Sequence, residues 1–122
     1  MSNPNRRAGR LFFTVNGVRH DAKGNFTYHL GSPKREAITG TDTVHGYRET
    51  VSVPFIEGAI TDRKGLNLKQ LFALDGITIT LELANGKTII LREAWFAGDG
   101  TASTEEAEVP IRFEGIDAEE MQ

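Results

Sequence analysis

The chain has 122 residues, of which 39% are hydrophobic and 25% charged, with 13 glycines and no cysteine. This composition predicts a single soluble, intracellular domain over residues 1–122. Without cysteine, the chain has no disulfide framework, no thiolate metal site and no thiol nucleophile. No apolar run approaches the roughly 20 residues that span a bilayer, and the first residues lack the apolar core of a signal peptide.

The two ends of the sequence carry opposite charge, although the formal net charge is only −3. Residues 1–10 contain three arginines and no acid, whereas residues 105–122 contain seven acids and one arginine. Two interpretations remain open: both ends are frayed and solvated, or they contact oppositely charged surfaces on neighbouring copies. No basic patch interleaved with aromatic residues occurs, so a nucleic-acid-binding surface is not expected.

Alternating apolar and polar residues predict β-strands through most of the chain, starting at residue 11. Residues 11–15 and 18–22 flank Asn16-Gly17, a sequence typical of a two-residue type I′ turn. The predicted pairs are Val15 with Val18, Phe13 with His20 and Leu11 with Ala22. A second turn is predicted at residues 23–25, followed by a strand over residues 26–30.

The next strand is predicted around residues 49–55. Its alternation places Val51, Val53 and Phe55 on the inward face and Pro54 on the other. Because proline cannot donate to a ladder, Pro54 indicates an edge strand, a bulge or the point at which the strand leaves the sheet. An edge strand of this kind is also a place where pairing with another copy could continue the sheet.

One short helix of about two turns is predicted after this strand. Asn67 has the residue type of an N-cap, the apolar positions Leu68, Leu71 and Phe72 follow at helical spacing, and Asp75-Gly76 is a stop signal.

Residues 77–93 predict a hairpin whose turn type follows from its faces. A two-residue Asn85-Gly86 loop would mix apolar and polar side chains on each face. A three-residue loop over residues 84–86, with Gly86 in the left-handed region, instead pairs Leu81 with Ile89 and Ile79 with Leu91. The last predicted strand has three inward residues, namely Val109, Ile111 and Phe113.

Residues 31–48 show little periodicity and contain Gly31, Pro33, Gly40 and Gly46. Loops of this length are uncommon in compact domains and are usually functional or flexible. We expect an extended arm that contacts a neighbouring copy, in which the proline and the glycines prevent regular structure; a disordered surface loop is the alternative. The candidate contact residues are Lys34, Arg35, Glu36, Ile38, Asp42, Val44, Tyr47 and Arg48.

Residue types used in catalysis and metal binding occur without the spacing that these functions need. His20, His29 and His45 lie in separate segments, none with a second ligand at i, i+2 or i+4. Phosphate-loop, dinucleotide-binding and nucleophile-elbow motifs are missing from the sequence. The sequence therefore assigns no catalytic residue, no metal ligand and no cofactor, and an enzyme is not expected.

Three blocks of sequence carry a resemblance to a known family. They are GSPKREAITGTDTVHGYRETVSVPFIEGAITD (31–62), LELANGKTIILREAWFAGDGT (81–101) and EVPIRFEG (108–115). The blocks, and a similarity that extends over about residues 10–121, resemble the tail tube protein of Mu-like contractile-tailed bacteriophages. Motifs such as residues 53–58 and 83–87 are too long for chance to be a good explanation.

The resemblance implies a mainly β fold, a small antiparallel β-sandwich or barrel with one short flanking α-helix and a long extended loop. Within the single domain it implies an N-terminal arm at 1–9, an inter-subunit loop at 31–48 and a C-terminal tail at 116–122. It further implies that six copies close into a ring and that rings stack into the inner tube of a tail through which DNA is ejected. No reaction is involved.

The implied partners are other copies of the chain, a tail sheath protein, a tape measure protein and a baseplate hub. DNA would pass through the lumen without sequence-specific binding, and no membrane contact is implied. The implied location is the tail of the virion, assembled in the bacterial host cytoplasm.

Duplex DNA carries about one negative charge per 1.7 Å, so a basic channel would hold it, whereas a neutral or acidic channel lets it slide. The candidate lumen-facing acids are Glu49, Glu57, Glu82 and Glu114. The tube protein of a type VI secretion apparatus or an R-type pyocin is an alternative that shares the fold. A monomeric β binding module or small β-enzyme is a further alternative, and it would show a deep pocket with convergent polar groups.

Overall fold

The computed structural model describes residues 11–102, 104 and 107–122, which contain nine strands and one helix. The helix is α1, Leu68–Phe72. The strands are β1 Phe12–Val15, β2 Val18–His29, β3 Lys34–Thr39, β4 Val44–Thr50, β5 Phe55–Thr61, β6 Ile77–Glu82, β7 Thr88–Phe96, β8 Glu108–Glu114 and β9 Asp117–Met121.

Six of the strands form a closed antiparallel barrel. Their order is β6-β1-β2-β5-β8-β7, and a direct pairing of β6 with β7 closes the circle. Strand β7 is shared, because its first part pairs with β6 and β9 while only Trp95 and Phe96 pair with β8. The predicted mainly β fold, an antiparallel barrel with one short helix, is confirmed.

The core fills the inside of the barrel with alternate residues from every barrel strand. The ring of Phe13 on β1 lies 6.1 Å from that of Phe113 on β8, and Phe96 meets Phe113 edge-on at 5.4 Å. The largest fully buried side chains are Phe13, Phe113, Ile56, Ile60, Ile79, Leu81, Ile89, Leu91, Ile111 and Val109. Each such side chain stabilises the fold by about 1.5 to 3 kcal/mol. The inward face predicted for β8 is confirmed.

Both predicted hairpin registers are confirmed. Asn16 and Gly17 have φ values of 50° and 87°, as a type I′ turn requires, and Val15 pairs with Val18. In the second hairpin the amide of Leu83 donates to the carbonyl of Lys87 at 2.8 Å, which closes a three-residue loop. Its paired residues are Leu81 with Ile89 and Ile79 with Leu91.

The turn predicted at residues 23–25 is wrong. Strand β2 runs through this segment without interruption, and its register against β5 shifts between Lys23 and Thr27. An extra residue on one strand bends it and increases its twist. The Gly24-Asn25 pair therefore lies at a bend in a long strand that pairs first with β1 and then with β5.

The strand predicted around residues 49–55, with three inward residues, is also wrong. Residues 51–54 are not in a strand, and Val51 and Val53 are 90% and 47% exposed. Strand β5 pairs with β8 so that Ile56 faces Phe113 in the core, which puts the preceding Phe55 opposite Glu114 on the outer face.

The predicted helix and its N-cap are confirmed. The Asn67 side chain accepts a hydrogen bond from the amide of Gln70 at 3.1 Å. Leu71 is buried against the barrel, and the ring of Phe72 packs on Phe96 at 4.7 Å. Over the described residues, no helix combines the length and apolar character needed to cross a membrane.

Candidate assembly surfaces

Residues 31–48 contain most of a regular β-hairpin. Strands β3 and β4 pair with each other as a separate two-stranded sheet, outside the barrel. Pro33 precedes β3, Gly40 lies in the turn, and Gly46, with a φ of 123°, adjoins the register shift in β4. The expectation that these residues prevent regular structure is wrong, because they occupy positions where a hairpin tolerates or needs them.

The hairpin is held together by oppositely charged residues on facing positions. Arg35 pairs with Glu49 at 3.1 Å, and Arg48 pairs with Glu36 at 3.5 Å. Exposed pairs of this kind contribute about 0.2 to 1 kcal/mol each. The sequence contains a signal for this hairpin, since Arg35-Glu36 and Arg48-Glu49 place opposite charges in both facing pairs only when the segments run antiparallel.

The apolar side chains of the hairpin are exposed in the single chain. Ile38, Val44 and Tyr47 all lie open to solvent, and the guanidinium of Arg35 lies 5.1 Å from the Tyr47 ring centroid. A two-stranded hairpin is marginally stable alone and ordinarily needs a further layer. The structure brings all eight candidate contact residues together on this one projecting element; their contact with a neighbouring copy stays a prediction.

A charged cluster centred on Arg112 lies on the outer face of β5 and β8. The guanidinium bonds Glu57 at 3.2 Å and Glu114 at 3.1 Å and stacks over Phe55 at 4.1 Å. Burial lowers the pKa of Arg112, but the hydrogen bonds to Glu114 and Glu57 outweigh it and raise that pKa above its usual value. This outer face therefore carries acids that are bound to a fixed cation.

The four candidate lumen-facing acids do not share one surface. Glu57 and Glu114 meet at Arg112, whereas Glu49 lies on the hairpin and pairs with Arg35. Glu82 lies at the end of β6, opposite Thr88 of β7. Which of them faces a channel stays a prediction.

The acidic segment 116–122 is largely a strand. Strand β9 pairs with the first part of β7, and Arg92 on β7 bonds Glu119 at 2.6 Å and Asp117 at 3.6 Å. Lys87 reaches Glu120 at 3.4 Å. A frayed end is therefore wrong for residues 117–121, although four of the five are exposed to solvent. The predicted N-terminal arm, 1–9, and its arginines lie outside the described residues.

The three histidines have separate environments. His20 is buried near Phe13, and burial together with the charge of Arg63 lowers its pKa against the opposing effect of Asp21. The Nδ1 atom of His29 accepts a hydrogen bond from the amide of Gly31 at 2.9 Å. Within the described part of the chain, no group of three or more His, Asp or Glu side chains is placed to hold a metal ion.

Two clefts open on the surface of the barrel. One, of about 530 Å³, lies over β5 and β8, and its lining includes three carboxylates, Glu57, Asp99 and Glu108. The other, of about 360 Å³, lies between the β1–β2 turn and the segment that carries α1, and apolar and polar side chains, with Arg63 among them, line it in about equal number.

A closed antiparallel barrel with a separate, exposed hairpin defines a class of small β-barrel proteins. Within that class, the chain belongs to the phage tail tube protein family, whose model matches residues 4–120. It is similar to the tail tube protein of Escherichia phage Mu, with 25% identity over 95 residues, which cover 78% of this chain and 80% of that protein. The resemblance found in the sequence is confirmed. The chain is therefore a structural component of a phage tail, and its family indicates a role in assembly with other tail proteins rather than in catalysis.

Proposed function

We propose that six copies of this chain close into a ring and that the rings stack into the inner tube of a contractile tail, the conduit for DNA ejection. The observation that carries the proposal is the projecting β3–β4 hairpin, whose apolar residues have no cover within one described chain. Tail sheath, tape measure and baseplate hub proteins are the further partners, and assembly takes place in the host cytoplasm.

Unpaired strand edges support self-association. Strand β9 pairs with β7 on one side only, and β3 and β4 pair only with each other among the described strands. Free N–H and C=O groups along such edges favour pairing with a strand from another chain. A subunit with three edges of this kind, one each on β9, β3 and β4, can add neighbours without changing its own fold.

The charge of the chain supports passage of DNA. Six copies with a formal net charge of −3 each carry −18 in all, the sign that repels phosphate. The cation of Arg112, already bound by Glu57 and Glu114, is held away from a passing phosphate. DNA in such a tube slides without sequence-specific contacts.

The test is direct observation of the purified protein by negative-stain microscopy and sedimentation. We expect rings or tubes from the natural chain. Replacing residues 34–46 by a short glycine linker should leave a folded barrel that forms no tubes, because the barrel core contains no residue from this segment. A Val53→Ser variant is the matched control, since Val53 is also an exposed apolar residue but lies outside both the hairpin and β9.

Hydrogen exchange measures the same contact without mutation. The hairpin amides should exchange quickly in the monomer, because an uncovered two-stranded sheet opens easily, and slowly in the tube. Normal tubes from the deletion variant, or equal protection in monomer and tube, would show that the hairpin is not the assembly element. A natural chain that stays monomeric at every concentration and salt condition would rule out the ring.

A further inference from the structure

The smaller cleft, which we call the α1 cleft, is a candidate docking surface. Its lining includes Val18, Arg63, Leu66, Leu71 and Leu74. Val18 is apolar and yet 55% exposed. The cleft volume of about 360 Å³ is near the lower end of the range for binding pockets, about 300 to 1,000 Å³, so it suits the tip of an element rather than a whole strand pair.

The α1 cleft combines apolar and uncharged polar side chains with a single cation. Arg63 is the one Lys, Arg, Asp or Glu residue in its lining, which also contains Asn16 and Gln70. His20 lies in the same lining, and burial together with the charge of Arg63 lowers its pKa. The eight ion pairs between described residues do not include Arg63. An occupant that fits this surface has apolar side chains, uncharged hydrogen-bonding groups and one anion.

The hairpin tip, residues 38–44, has that composition. Its turn is closed by a hydrogen bond from the amide of Gly40 to the carbonyl of Thr43 at 2.8 Å. Asp42 lies in this turn between the exposed side chains of Ile38 and Val44, and it is the single charged residue of the tip. Asp42 is also left out of the eight ion pairs between described residues.

We propose that the hairpin tip of one copy docks into the α1 cleft of a neighbouring copy, with Asp42 bound to Arg63. Ile38 and Val44 lie on opposite faces of the tip and would contact apolar side chains on the two sides of the cleft. This rests on the proposed self-assembly and adds the acceptor site to it. The tip and the cleft are different surfaces, so each copy can insert its tip into one neighbour and bind the tip of another. A contact of this head-to-tail kind builds rings or open stacks rather than closed dimers.

The larger cleft over β5 and β8 is the competing acceptor, and its charge opposes docking. Glu57, Asp99 and Glu108 lie in its lining, and its one cation, Arg112, is already bonded to Glu57 and Glu114. An Asp42 carboxylate would meet like charge there, which costs several kcal/mol at an interface. The α1 cleft is the acceptor that matches the tip in both charge and apolar surface.

A charge swap tests the pair. Asp42→Arg or Arg63→Asp alone should raise the protein concentration needed for half-assembly by at least about tenfold, because each places like charges at the contact. The double variant should return to within about threefold of the natural chain by the same relation. Asp75→Arg is the matched control, since Asp75 is an exposed acid that takes part in none of those eight pairs, and it should assemble normally.

Mixing the two single variants gives a sharper result. The tip of the Asp42→Arg chain is positively charged, and it matches the negatively charged cleft of the Arg63→Asp chain. The tip of the Arg63→Asp chain is unchanged, and it matches the unchanged cleft of the Asp42→Arg chain. The mixture should therefore form mixed assemblies at a concentration at which neither variant assembles alone. Single variants that assemble like the natural chain, or a mixture that does no better than its components, would overturn the docking site.

Cross-linking locates the contact independently of charge. The chain has no cysteine, so an Ile38→Cys, Val18→Cys double variant forms disulfides only between the two introduced thiols. Oxidation should convert its assemblies into a ladder of covalent oligomers, because bonded cysteines need Cα atoms about 4.4 to 6.8 Å apart. Assemblies that give no ladder would overturn the docking site, because the tip would then lie elsewhere in an intact tube. A natural chain that never assembles would instead refute the proposed function.

Discussion

Replacing Val109 by aspartate tests whether β8 closes the barrel around a dry core. Val109 is 0% exposed and pairs with the equally buried Ile60 of β5. The change removes about 1.5 to 3 kcal/mol of apolar burial and leaves a carboxyl without a hydrogen-bond partner, which costs about 1 to 3 kcal/mol more even when it is protonated. The total, about 3 to 6 kcal/mol, is a large part of the roughly 5 to 15 kcal/mol that stabilises a typical domain.

The matched control is the same substitution at Val53, which lies in the 51–54 connection and is 47% exposed. It should change the free energy of unfolding by no more than about 0.5 kcal/mol. Urea unfolding followed by circular dichroism, with the fluorescence of Trp95 as a second probe, measures both. The Val109→Asp loss should shrink at acid pH as the carboxyl becomes neutral. If the two substitutions lowered the free energy of unfolding equally, then either Val109 would not face the core or Val53 would not be exposed.

Two further changes test the helix and the buried histidine. Asn67→Ala should cost about 1 kcal/mol in urea unfolding by removing the acceptor of the Gln70 amide, whereas Asn67→Ser, which keeps an acceptor, should cost less. Because the folded-state pKa of His20 lies below its ordinary 6.5, the unfolded chain binds a proton first as pH falls. The contribution of neutral His20 to the free energy of unfolding is thus fully present above pH 6.5 and is lost as pH falls through the folded-state pKa. The His20→Gln variant should lose less stability over this pH range than the natural chain. An equal loss of stability in the two proteins would contradict this account of His20.

Hairpins were predictable from the sequence where a turn and two alternating faces agree. Asn16-Gly17 admits only one register that keeps Phe13 inward, and the loop before Lys87 admits only a three-residue turn that keeps Leu81 and Ile89 together. In both cases local turn chemistry and the burial of one face choose the same pairing. Short-range information was sufficient for these elements.

The strand predicted around residues 49–55 is wrong because two alternating series of apolar residues overlap there. Val51, Val53 and Phe55 alternate as well as Ile56 and Ile60 do, but the two series point to opposite faces. The choice between them is made by pairing with Phe113 and Val109 of β8, about fifty residues away in sequence. No local pattern contains that information.

The candidate contact residues over 31–48 form one group in the sequence and lie together on one hairpin. That hairpin itself was not predictable from composition, because glycine and proline break a strand at some positions and are tolerated at the ones they occupy here. The α1 cleft was not predicted at all, since Val18 and Arg63 come together only when the β1–β2 turn packs beside the helix segment. A site built from distant segments leaves no motif in either of them.

The strand order of the barrel also sets the order in which its parts can form. Phe13 on β1 pairs with Leu81 on β6, so closing the barrel means joining remote parts of the chain, a slow event that takes about milliseconds to seconds in folds dominated by distant pairings. The β3–β4 hairpin needs only a four-residue connection and can form in about 1 to 10 μs. The hairpin can therefore form and reopen many times before the barrel is complete, because a two-stranded sheet alone is marginally stable, and Ile38 and Val44 are exposed both during folding and in the folded chain.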